Sequence, residues 1–414
     1  MKIVAIICEY NPFHSGHEHQ IREIRKKFSN RVKIVSLMSS NFVQRGEPAL
    51  VDKYTRAKMA RKAGADIVLE YPSFFCVSSA ESFAQKAIYI LNKLNCVDYI
   101  CYGSESNNKK AIKEIAKVLV EEPQNFKEKL KTYLKEGFSF PKARHLALEE
   151  YFRKSKTKTD KDFDLILSSS NDILGLEYEK ALILEASDIS SFTIKRRGSD
   201  YKDSNIEKSY SSAGAIRKLI LENENAINLL DMNQNNMPKD SIDLLKEYNK
   251  NHDFGNIEAF KDILISKILT LQEDELRQYP LVNEGIENLL KKKAPYAKSV
   301  EDLVSSVSGK RYPKTRIQRL LIQLLLDITK KDLESYPLPL YIRTLSFKDK
   351  ELLSLIEKKS DLPLVTSLNK SYQNFNIKEK ALMDFENKSS DLYYHFVLKD
   401  KGSFINEFSM KPDF

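Results

Sequence analysis

Residues 2–18 of the 414-residue chain read KIVAIICEYNPFHSGHE, and the expected architecture is built outward from this segment. Its first seven residues form a short apolar run rich in Ile and Val, which is typical of a buried strand. Ser15 and Glu18 have the spacing of a capping box, so we predict a helix with Ser15 as N-cap and His17 in its first turn. Ligands of open parallel sheets bind where strands end, and the free N–H groups of a helix start favour anions. The segment therefore predicts a phosphate site at the first strand-to-helix turn.

The alternation of short apolar runs with helical segments continues through the first two hundred residues. Runs rich in apolar residues predict strands at 32–38, 66–70, 97–102, 163–167 and 189–195. Apolar residues at three- and four-residue spacing predict helices at 18–28, 55–63 and 78–94, and charged helical sequence at about 107–155 interrupts the pattern. We therefore expect an α/β fold with a parallel sheet and a helical insertion.

The second half of the chain has a different character. A turn-rich segment of Asn and Pro at 223–238 precedes a part with almost no strand signal. Helical periodicity appears at 257–271, 284–293 and 315–328, while 362–366 and 393–398 are possible edge strands. We expect two domains, a catalytic α/β domain over 1–228 and a mainly α-helical domain over 229–414.

The composition is that of a globular protein with a mild basic bias. The chain has 42% apolar residues, 67 basic and 58 acidic side chains, and a formal net charge of +9. That charge leaves two interpretations open, a polyanionic partner such as nucleic acid or a Lys-rich background. No apolar run is long enough to span a membrane, and the amino terminus lacks a cleavage signal. Four cysteines without metal-type spacing indicate a reducing compartment, so we expect a cytoplasmic protein.

Histidines are concentrated in the first strand-to-helix turn, which holds three of the six in the chain. His14 and His17 can donate to the same phosphate group and stabilise charge that develops on it. Gly16 leaves room for a nucleotide to approach the backbone. Two other interpretations stay open. One is a metal site on the pair His14 and His17, with His19 close by, although no carboxylate or Cys at ligand spacing completes the set. The other is two histidines that face solvent by chance while Ser15 only caps the helix.

The motif His14-x-Gly16-His17 resembles the signature of the nucleotidyltransferase superfamily, whose members bind ATP at this turn and attack its α-phosphate. A longer set of segments is similar to a narrower group, the bacterial tRNA(Met) cytidine acetate ligase family. These segments are 11–17, 42–49 with Asp52 and Arg56 after it, 103–105, 137–144, 171–175, 195–197 and 211–217. One departure is Ser40, which stands where a Gly is expected.

The resemblance implies a Rossmann-like nucleotidyltransferase fold and a two-step ligase. Acetate would attack ATP, with Mg²⁺ as the expected partner of its phosphates, to give acetyl-adenylate and pyrophosphate. The acetyl group would then pass to N4 of the wobble cytidine in the anticodon of elongator tRNA(Met). His14 and His17 would be catalytic, and no metal site in the protein itself is expected. The implied ATP site comprises Ile7, Cys8, Glu9, Tyr10, Asn11, Pro12, Phe13, His14, Ser15, Gly16, His17, Glu18, His19, Gln20, Gly103, Asn171, Arg196 and Arg197.

The best RNA-facing segment of the expected helical domain is the run 310–319, with five basic residues, no acid and one tyrosine. The helix that follows would bury its apolar face and leave its arginines available to a phosphate backbone. A solvated basic helix face is the alternative. The residues expected to contact tRNA are Arg45, Lys310, Arg311, Arg316 and Arg319.

Several residues near the expected ATP site admit two interpretations each. Asp52, Lys53 and Arg56 could reach the pocket from a helix start, or Asp52 could cap that helix while its two neighbours are solvated. Ser212 with Arg217 could hold phosphate or only start a helix. Two other functions also stay open. The chain could adenylate another small molecule or acetylate a protein carrier, or it could be a non-catalytic RNA-binding protein. Intact His14, Gly16 and His17 argue against the last.

Overall fold

The computed structural model describes residues 1–154, 162–196, 212–233, 235–309 and 311–412. Within these residues a seven-stranded sheet has the order β7-β6-β1-β2-β5-β8-β9, and a separate hairpin pairs β3 with β4. The predicted α/β fold is confirmed. The strands are β1 (Lys2–Cys8), β2 (Val32–Ser39), β3 (Phe42–Val43), β4 (Glu47–Pro48), β5 (Ile67–Tyr71), β6 (Tyr99–Ser104), β7 (Ser190–Lys195), β8 (Ile342–Phe347) and β9 (Leu364–Val365).

The strand β1 lies at the point where the sheet order changes direction. It pairs in parallel with β2 on one side and with β6 on the other. The chain continues outward from β2 to β5 and from β6 to β7, both in parallel pairs. This reversal leaves a crevice at the carboxyl ends of β1 and β6, where open α/β sheets bind their ligands.

Residues on alternate sides of β1 pack into two apolar cores, one on each face of the sheet. Ile3 and Ala5 belong to one core, and Val4 and Ile6 belong to the other. This period of two is the geometry of a strand that is covered on both faces. It explains why the run at 2–8 is apolar throughout instead of alternating.

Helices cover both faces of the sheet. They are α1 (Ser15–Phe28), α2 (Lys53–Lys62), α3 (Ser73–Cys76), α4 (Ala80–Lys93), α5 (Lys109–Glu121), α6 (Gln124–Lys135), α7 (Phe140–Lys154), α8 (Phe163–Ser168), α9 (Ser170–Leu184), α10 (Ala213–Glu222), α11 (Ala226–Met232), α12 (Lys239–Asn251), α13 (Lys261–Thr270), α14 (Glu273–Leu276), α15 (Ile286–Lys293), α16 (Val300–Val307), α17 (Lys314–Leu326), α18 (Lys330–Ser335), α19 (Lys350–Lys359), α20 (Leu368–Asn374) and α21 (Ile377–Val397). Short 3₁₀ helices occur at Ser29–Arg31, Ile257–Phe260, Ala294–Tyr296 and Glu407–Ser409.

Two predicted strands are wrong. The segment 163–167 lies in helix α8, and 393–397 is the last part of helix α21. Both are short apolar runs, and a run of this length cannot be told from a buried helix segment by periodicity alone. The other possible edge strand, at 362–366, contains β9.

Strand β8 is a feature that the sequence analysis missed, in a part where almost no strand was expected. All of its residues are buried, and it pairs antiparallel with β5. Its second residue, Arg343, places a guanidinium 2.7 Å from the carboxylate of Glu407. A charged residue in so short a run hides the strand pattern. Residues beyond 229 thus add two strands to the sheet, and the domain boundary at 228 remains a prediction.

A search of the described residues for a membrane-spanning segment finds no helix that is both long enough and apolar enough. The longest helix, α21, carries charged and polar residues along its length. Many apolar residues of the helices instead belong to the two cores on the faces of the sheet.

Candidate active site

The turn between β1 and α1 is held in place by a buried arginine. Arg56 of helix α2 is fully buried, and its guanidinium donates to the carbonyl oxygens of Glu9 at 2.7 Å, Ser39 at 2.9 Å and Val51 at 3.0 Å. It thereby joins the carboxyl ends of β1 and β2. Asp52 caps helix α2 through bonds to the N–H groups of its first turn. Arg56 therefore holds the backbone around the turn in place, and Asp52 is the N-cap of helix α2.

The side chain of Asn11 fixes the middle of the turn. Its Oδ1 accepts from the Leu50 N–H at 2.8 Å, and its backbone carbonyl accepts from Arg217 Nη1 at 2.7 Å. Nη2 of Arg217 pairs with Glu47 Oε2 at 2.9 Å. Arg217 thus connects the turn to the β3–β4 hairpin, while Ser212 caps helix α10.

The two imidazoles of the turn pack against each other at an interplanar angle of 32°, with ring centroids 3.9 Å apart. The N-cap of α1 is His14, and the prediction of Ser15 is wrong, because His14 Nδ1 accepts from the Gly16 N–H at 3.0 Å. His17 Nδ1 accepts in turn from the His14 N–H at 3.2 Å. A backbone N–H can only donate, so Nδ1 of each ring carries no proton. In the neutral form, both rings therefore carry their proton on Nε2.

Both histidines are neutral at physiological pH. Burial lowers the pKa of His14 to about 3, and the positive charges of Arg196 and Arg217 lower it further in the same direction. Burial likewise lowers the pKa of His17 well below its usual value, with smaller effects from His14 and Arg196. The rings of Tyr10 and Phe13 pack against His17 at 4.8 and 5.4 Å. The turn therefore offers a ligand two uncharged Nε2–H donors on neighbouring rings.

Two glycines allow close packing around the histidines. A Cβ atom on Gly16 would lie 2.7 Å from Cε1 of His14, so a side chain there would displace the ring. Gly103 on β6 has Arg196 Cγ 3.2 Å from the position of its missing Cβ. Gln20 donates to the Cys101 carbonyl at 3.1 Å and so ties helix α1 to β6. These contacts bring the ends of β1 and β6 together as one site.

Arg196 lies at the mouth of the site, beside Asn171 and Glu105. Its Nη1 donates to Asn171 Oδ1 at 3.4 Å, and Asn171 Nδ2 donates to Glu105 Oε1 at 2.6 Å. Burial lowers the pKa of Arg196, Glu105 raises it, and the nearby charge of Arg45 lowers it again. Arg45 belongs to the β3–β4 hairpin and Arg196 directly follows β7, so two separate elements bring positive charge to this region. Arg197 is outside the described residues.

The remaining residues of the expected ATP segment mostly support the turn. Cys8 Sγ donates to the Leu37 carbonyl, Tyr10 shares a hydrogen bond with Ser36, and the Ser15 N–H donates to the Asn236 carbonyl. His19 is buried beside Arg22 and Glu23 of its own helix. The other members are Ile7, Glu9 and Glu18, which are partly exposed, and Pro12, which is buried. Among the described residues, no group of three or more His, Cys, Asp or Glu has the geometry to hold a metal ion.

The β3–β4 hairpin touches the helix that carries the expected RNA-facing arginines. Gly46 has φ +83°, and a Cβ there would lie 2.3 Å from the backbone nitrogen of Arg319 in α17. Arg45 of the same hairpin is therefore beside α17 as well as near Arg196. The sequence analysis missed this contact and the Glu47–Arg217 pair, because nothing in the local pattern pairs residues so far apart.

The arginines of α17 and the segment before it differ in their partners. Arg311 and Arg316 lie 3.4 and 3.8 Å from Glu284, and Arg316 also donates to Asn283. Arg319 has no acidic partner among the described residues, and its buried Nε has no hydrogen-bond partner there. Burial, followed by the charge of Arg316, lowers its pKa to about 10. Lys310 is outside the described part of the chain.

Comparisons with known proteins agree with this geometry. The family model of the HIGH Nucleotidyl Transferases matches residues 1–406. A tRNA(Met) cytidine acetate ligase of Acetivibrio thermocellus is 43% identical over 399 residues, which is 95% of this chain and 94% of that relative. The protein of the same name from Clostridium novyi is 37% identical and covers 100% of this chain and 99% of its own length.

Solved structures of Thermotoga maritima TmcAL have the same fold. One of them, bound with alpha-thio ATP, superimposes with a TM-score of 0.90 at 32% identity. The apo form superimposes with a TM-score of 0.91, and each match covers 100% of this chain and 99% of the other. The chain belongs to the tRNA(Met) cytidine acetate ligase family of HIGH nucleotidyl transferases.

Proposed function

We propose that this protein is an ATP-dependent ligase that activates acetate as acetyl-adenylate and transfers the acetyl group to N4 of the wobble cytidine of elongator tRNA(Met). The observation that carries the proposal is the pair of neutral imidazoles, each with its proton on Nε2, at the end of β1. The names of the relatives, which cover nearly the whole chain, supply the acetate and the tRNA. We place the reaction in the cytoplasm, where ATP and tRNA both occur.

In the first step a carboxylate oxygen of acetate attacks the α-phosphorus of ATP, and the bond from that phosphorus to the pyrophosphate oxygen breaks. Negative charge grows on the non-bridging oxygens of the α-phosphate. His14 and His17 donate to these oxygens through Nε2–H and stabilise the transition state. Because the rings are neutral and their Nδ1 atoms are already occupied, no proton or ring has to move before the attack.

The departing pyrophosphate faces the arginines at the mouth of the site. Arg45 lies close enough to Arg196 to lower its pKa, so the charges of both guanidinium groups would favour an anion bound near them. Arg guanidinium groups can hold phosphate oxygens with two parallel hydrogen bonds. Mg²⁺ would be carried by the ATP phosphates and water, since the described residues offer it no ligand cluster, and no step is assigned to it.

In the second step the N4 amine of cytidine attacks the acetyl carbonyl carbon, AMP leaves, and the amine loses a proton. The RNA has to reach the turn from outside the crevice, and the arginine-rich face of α17 adjoins the hairpin that borders it. Arg319 lacks an acidic partner within the described residues and is partly buried, so a phosphate group would supply the missing negative charge. Arg45, Lys310, Arg311 and Arg316 complete the basic surface that we propose for tRNA.

The deciding experiment is mass spectrometry of tRNA after incubation with purified protein, ATP and isotope-labelled acetate. We expect the labelled acetyl mass on the anticodon cytidine of elongator tRNA(Met), with release of AMP and pyrophosphate. Initiator tRNA, which serves as the control, should stay unmodified. An unmodified cytidine together with acetate-dependent pyrophosphate exchange would favour the other candidate, an enzyme that makes the adenylate for a different acceptor such as a protein carrier.

A further inference from the structure

Helices α6 and α7 form a hairpin in which side-chain contacts join the two helices. Tyr133 Oη donates to Glu150 Oε2 at 3.1 Å, and Lys129 pairs with the same carboxyl group at 2.9 Å. Phe126 and Ala147 are buried in the apolar core. The side chains at the turn of this hairpin therefore sit on a fixed support.

The turn itself carries apolar side chains that face solvent. We name the aromatic tip as Leu134, Phe138 and Phe140, whose exposed fractions are 40%, 42% and 55%. Gly137, with φ +86°, reverses the chain between them, and no described atom lies within 4 Å of the position of its missing Cβ. A group of large exposed apolar side chains marks an interaction site more often than a passive surface.

Positive charge surrounds the aromatic tip. Lys131, Lys135 and Lys142 are exposed, and the guanidinium of Arg144 lies 5.9 Å from the centre of the Phe140 ring. Glu136 is the one acidic residue between positions 131 and 144. Exposed aromatic rings among lysine and arginine match the chemistry of unpaired nucleic acid, where bases stack on rings and phosphates meet the cations.

We propose that the aromatic tip is a second RNA contact, on which unpaired bases of the substrate stack against Phe138 and Phe140 while the neighbouring lysines meet the phosphate backbone. The inference rests on the proposed function for the identity of the RNA and uses none of the residues of α17. A second copy of the chain would bring two surfaces of the same charge sign together, which is unfavourable, and an acidic protein partner remains an outcome that the test below distinguishes. Unpaired RNA can use both the exposed rings, on which bases stack, and the lysines, which contact its phosphates.

The first test replaces both rings, in Phe138→Ala/Phe140→Ala, and measures the dissociation constant of elongator tRNA(Met) and the steady-state KM for it. Loss of one base stack weakens binding by about ten-fold, so the double variant should raise both constants by about ten-fold or more. Pyrophosphate exchange with ATP and acetate alone should not change. Phe404→Ala, which removes a ring that is 70% exposed elsewhere on the chain, is the matched control and should bind tRNA like the parent.

A second pair of variants separates stacking from apolar contact. Phe140→Trp keeps a stacking surface and should retain tRNA binding, whereas Phe140→Leu keeps an apolar side chain without a ring and should weaken it. Equal binding by the Leu variant and the parent would overturn the stacking proposal. These variants also decide the matter if the double Ala variant unfolds, because each keeps a large side chain at the position.

Failure of this inference is distinct from failure of the proposed function. If the parent protein acetylates tRNA and the double Ala variant does so with the same KM, the aromatic tip has no RNA role. If the parent acetylates nothing, the proposed function fails, and binding of the anticodon stem-loop against a blunt RNA duplex of equal length still tests the tip. A change in sedimentation of the double variant without a change in tRNA binding would assign the tip to a protein contact and overturn the inference.

Discussion

The turn at His14–His17 and the basic face of α17 both meet phosphate in our account, yet they are built in opposite ways. The turn is buried, its backbone is held by Arg56 and Arg217, and its two rings are already neutral and oriented. The arginines at α17 are partly exposed, and two of the three described ones lie near Glu284. In the function that we propose, ATP would enter a preset site, whereas RNA would have to displace the contacts that Arg311 and Arg316 make with Glu284.

The hairpin β3–β4 connects these two regions. Glu47 reaches the turn through Arg217, and Gly46 rests on the backbone of α17. A variant in either region should therefore affect its own ligand, while a variant in the hairpin should affect both.

The largest effect is expected from the histidines. His14→Ala or His17→Ala removes one donor to the α-phosphate, and loss of one such donor lowers kcat by about 10²–10³-fold. The measurement is pyrophosphate exchange with ATP and acetate, without tRNA. The dissociation constant for tRNA should stay within about two-fold, since neither ring belongs to the RNA surface. His395→Ala, at an exposed position of α21, is the control. Equal damage to RNA binding would break the division between the two regions.

The RNA face should give the next largest effect, in the opposite assay. Arg316→Glu and Arg319→Gln remove positive charge from α17, and we expect tRNA binding to weaken by roughly 10–100-fold. The logarithm of the tRNA binding constant should also fall less steeply with the logarithm of the salt concentration. The slope should change by about 0.7–0.9 for each phosphate that is no longer neutralised. Pyrophosphate exchange should persist. Lys401→Glu, an exposed position distant in sequence from α17, is the charge-matched control. An unchanged salt slope would show that these arginines do not meet phosphate.

The hairpin should give a smaller effect that appears in both assays. Gly46→Ala places a Cβ where the backbone of Arg319 lies and also strains a positive φ, so the hairpin has to shift and the protein should lose about 1–3 kcal/mol of stability. We expect both pyrophosphate exchange and tRNA binding to fall. Gly309→Ala is the matched control, because no described atom lies within 4 Å of its missing Cβ. A loss confined to one assay would mean that the hairpin does not link the regions.

The smallest effect concerns stability against pH. The pKa of His14 is about 3 in the folded protein, far below that of an unfolded histidine, so the unfolded state binds more protons between these values. Stability contributed by neutral His14 is therefore full above the unfolded pKa and is lost as pH falls, by up to about 1.4 kcal/mol per pH unit. Chemical unfolding of the parent and of His14→Gln from pH 7 to pH 5 tests this, and the parent should lose more.

The comparison of the parent with His14→Gln also controls for Glu386, a buried acid whose effect on stability changes with pH in the opposite direction. Burial, followed by the charge of Glu70, raises the pKa of Glu386 to about 7, so this group favours the folded state as pH falls. Its effect is shared by the parent and the variant and cancels in their difference. Parallel pH curves for the two proteins would contradict the neutral His14.

The sequence was sufficient for the parts of the molecule that depend on local pattern. The strand at 2–8, the helix that starts after it and the parallel strands beside β1 follow from apolar runs and helix starts, and they occur as expected. The phosphate site at this turn stays a prediction. Capping preferences favour hydroxyl groups and so predict Ser15 as the N-cap, but the imidazole nitrogen of His14 accepts the bond instead. Local rules could not weigh that alternative, since His is an uncommon cap.

Other parts depend on contacts between distant residues and could not be derived. Arg343 is buried in β8 because Glu407 compensates it, and Arg56 supports the turn because the carbonyl groups of two strand ends meet around it. Arg217 was weighed as a phosphate ligand, and its bonds to Asn11 and Glu47 become visible only in the folded chain. From the sequence alone, buried charged residues of this kind are predicted to lie on the surface, because their partners are not known.

The most direct test of the preset turn is nitrogen-detected NMR of the imidazoles of His14 and His17 at neutral pH, assigned with His→Gln variants, before and after addition of a non-hydrolysable ATP analogue. Our account predicts that both rings are neutral in the free protein, with the proton on Nε2 and an unprotonated Nδ1, and that the analogue shifts the Nε2 signals without changing the tautomer. A charged ring in the free protein, or a proton on Nδ1 of either ring, would contradict it.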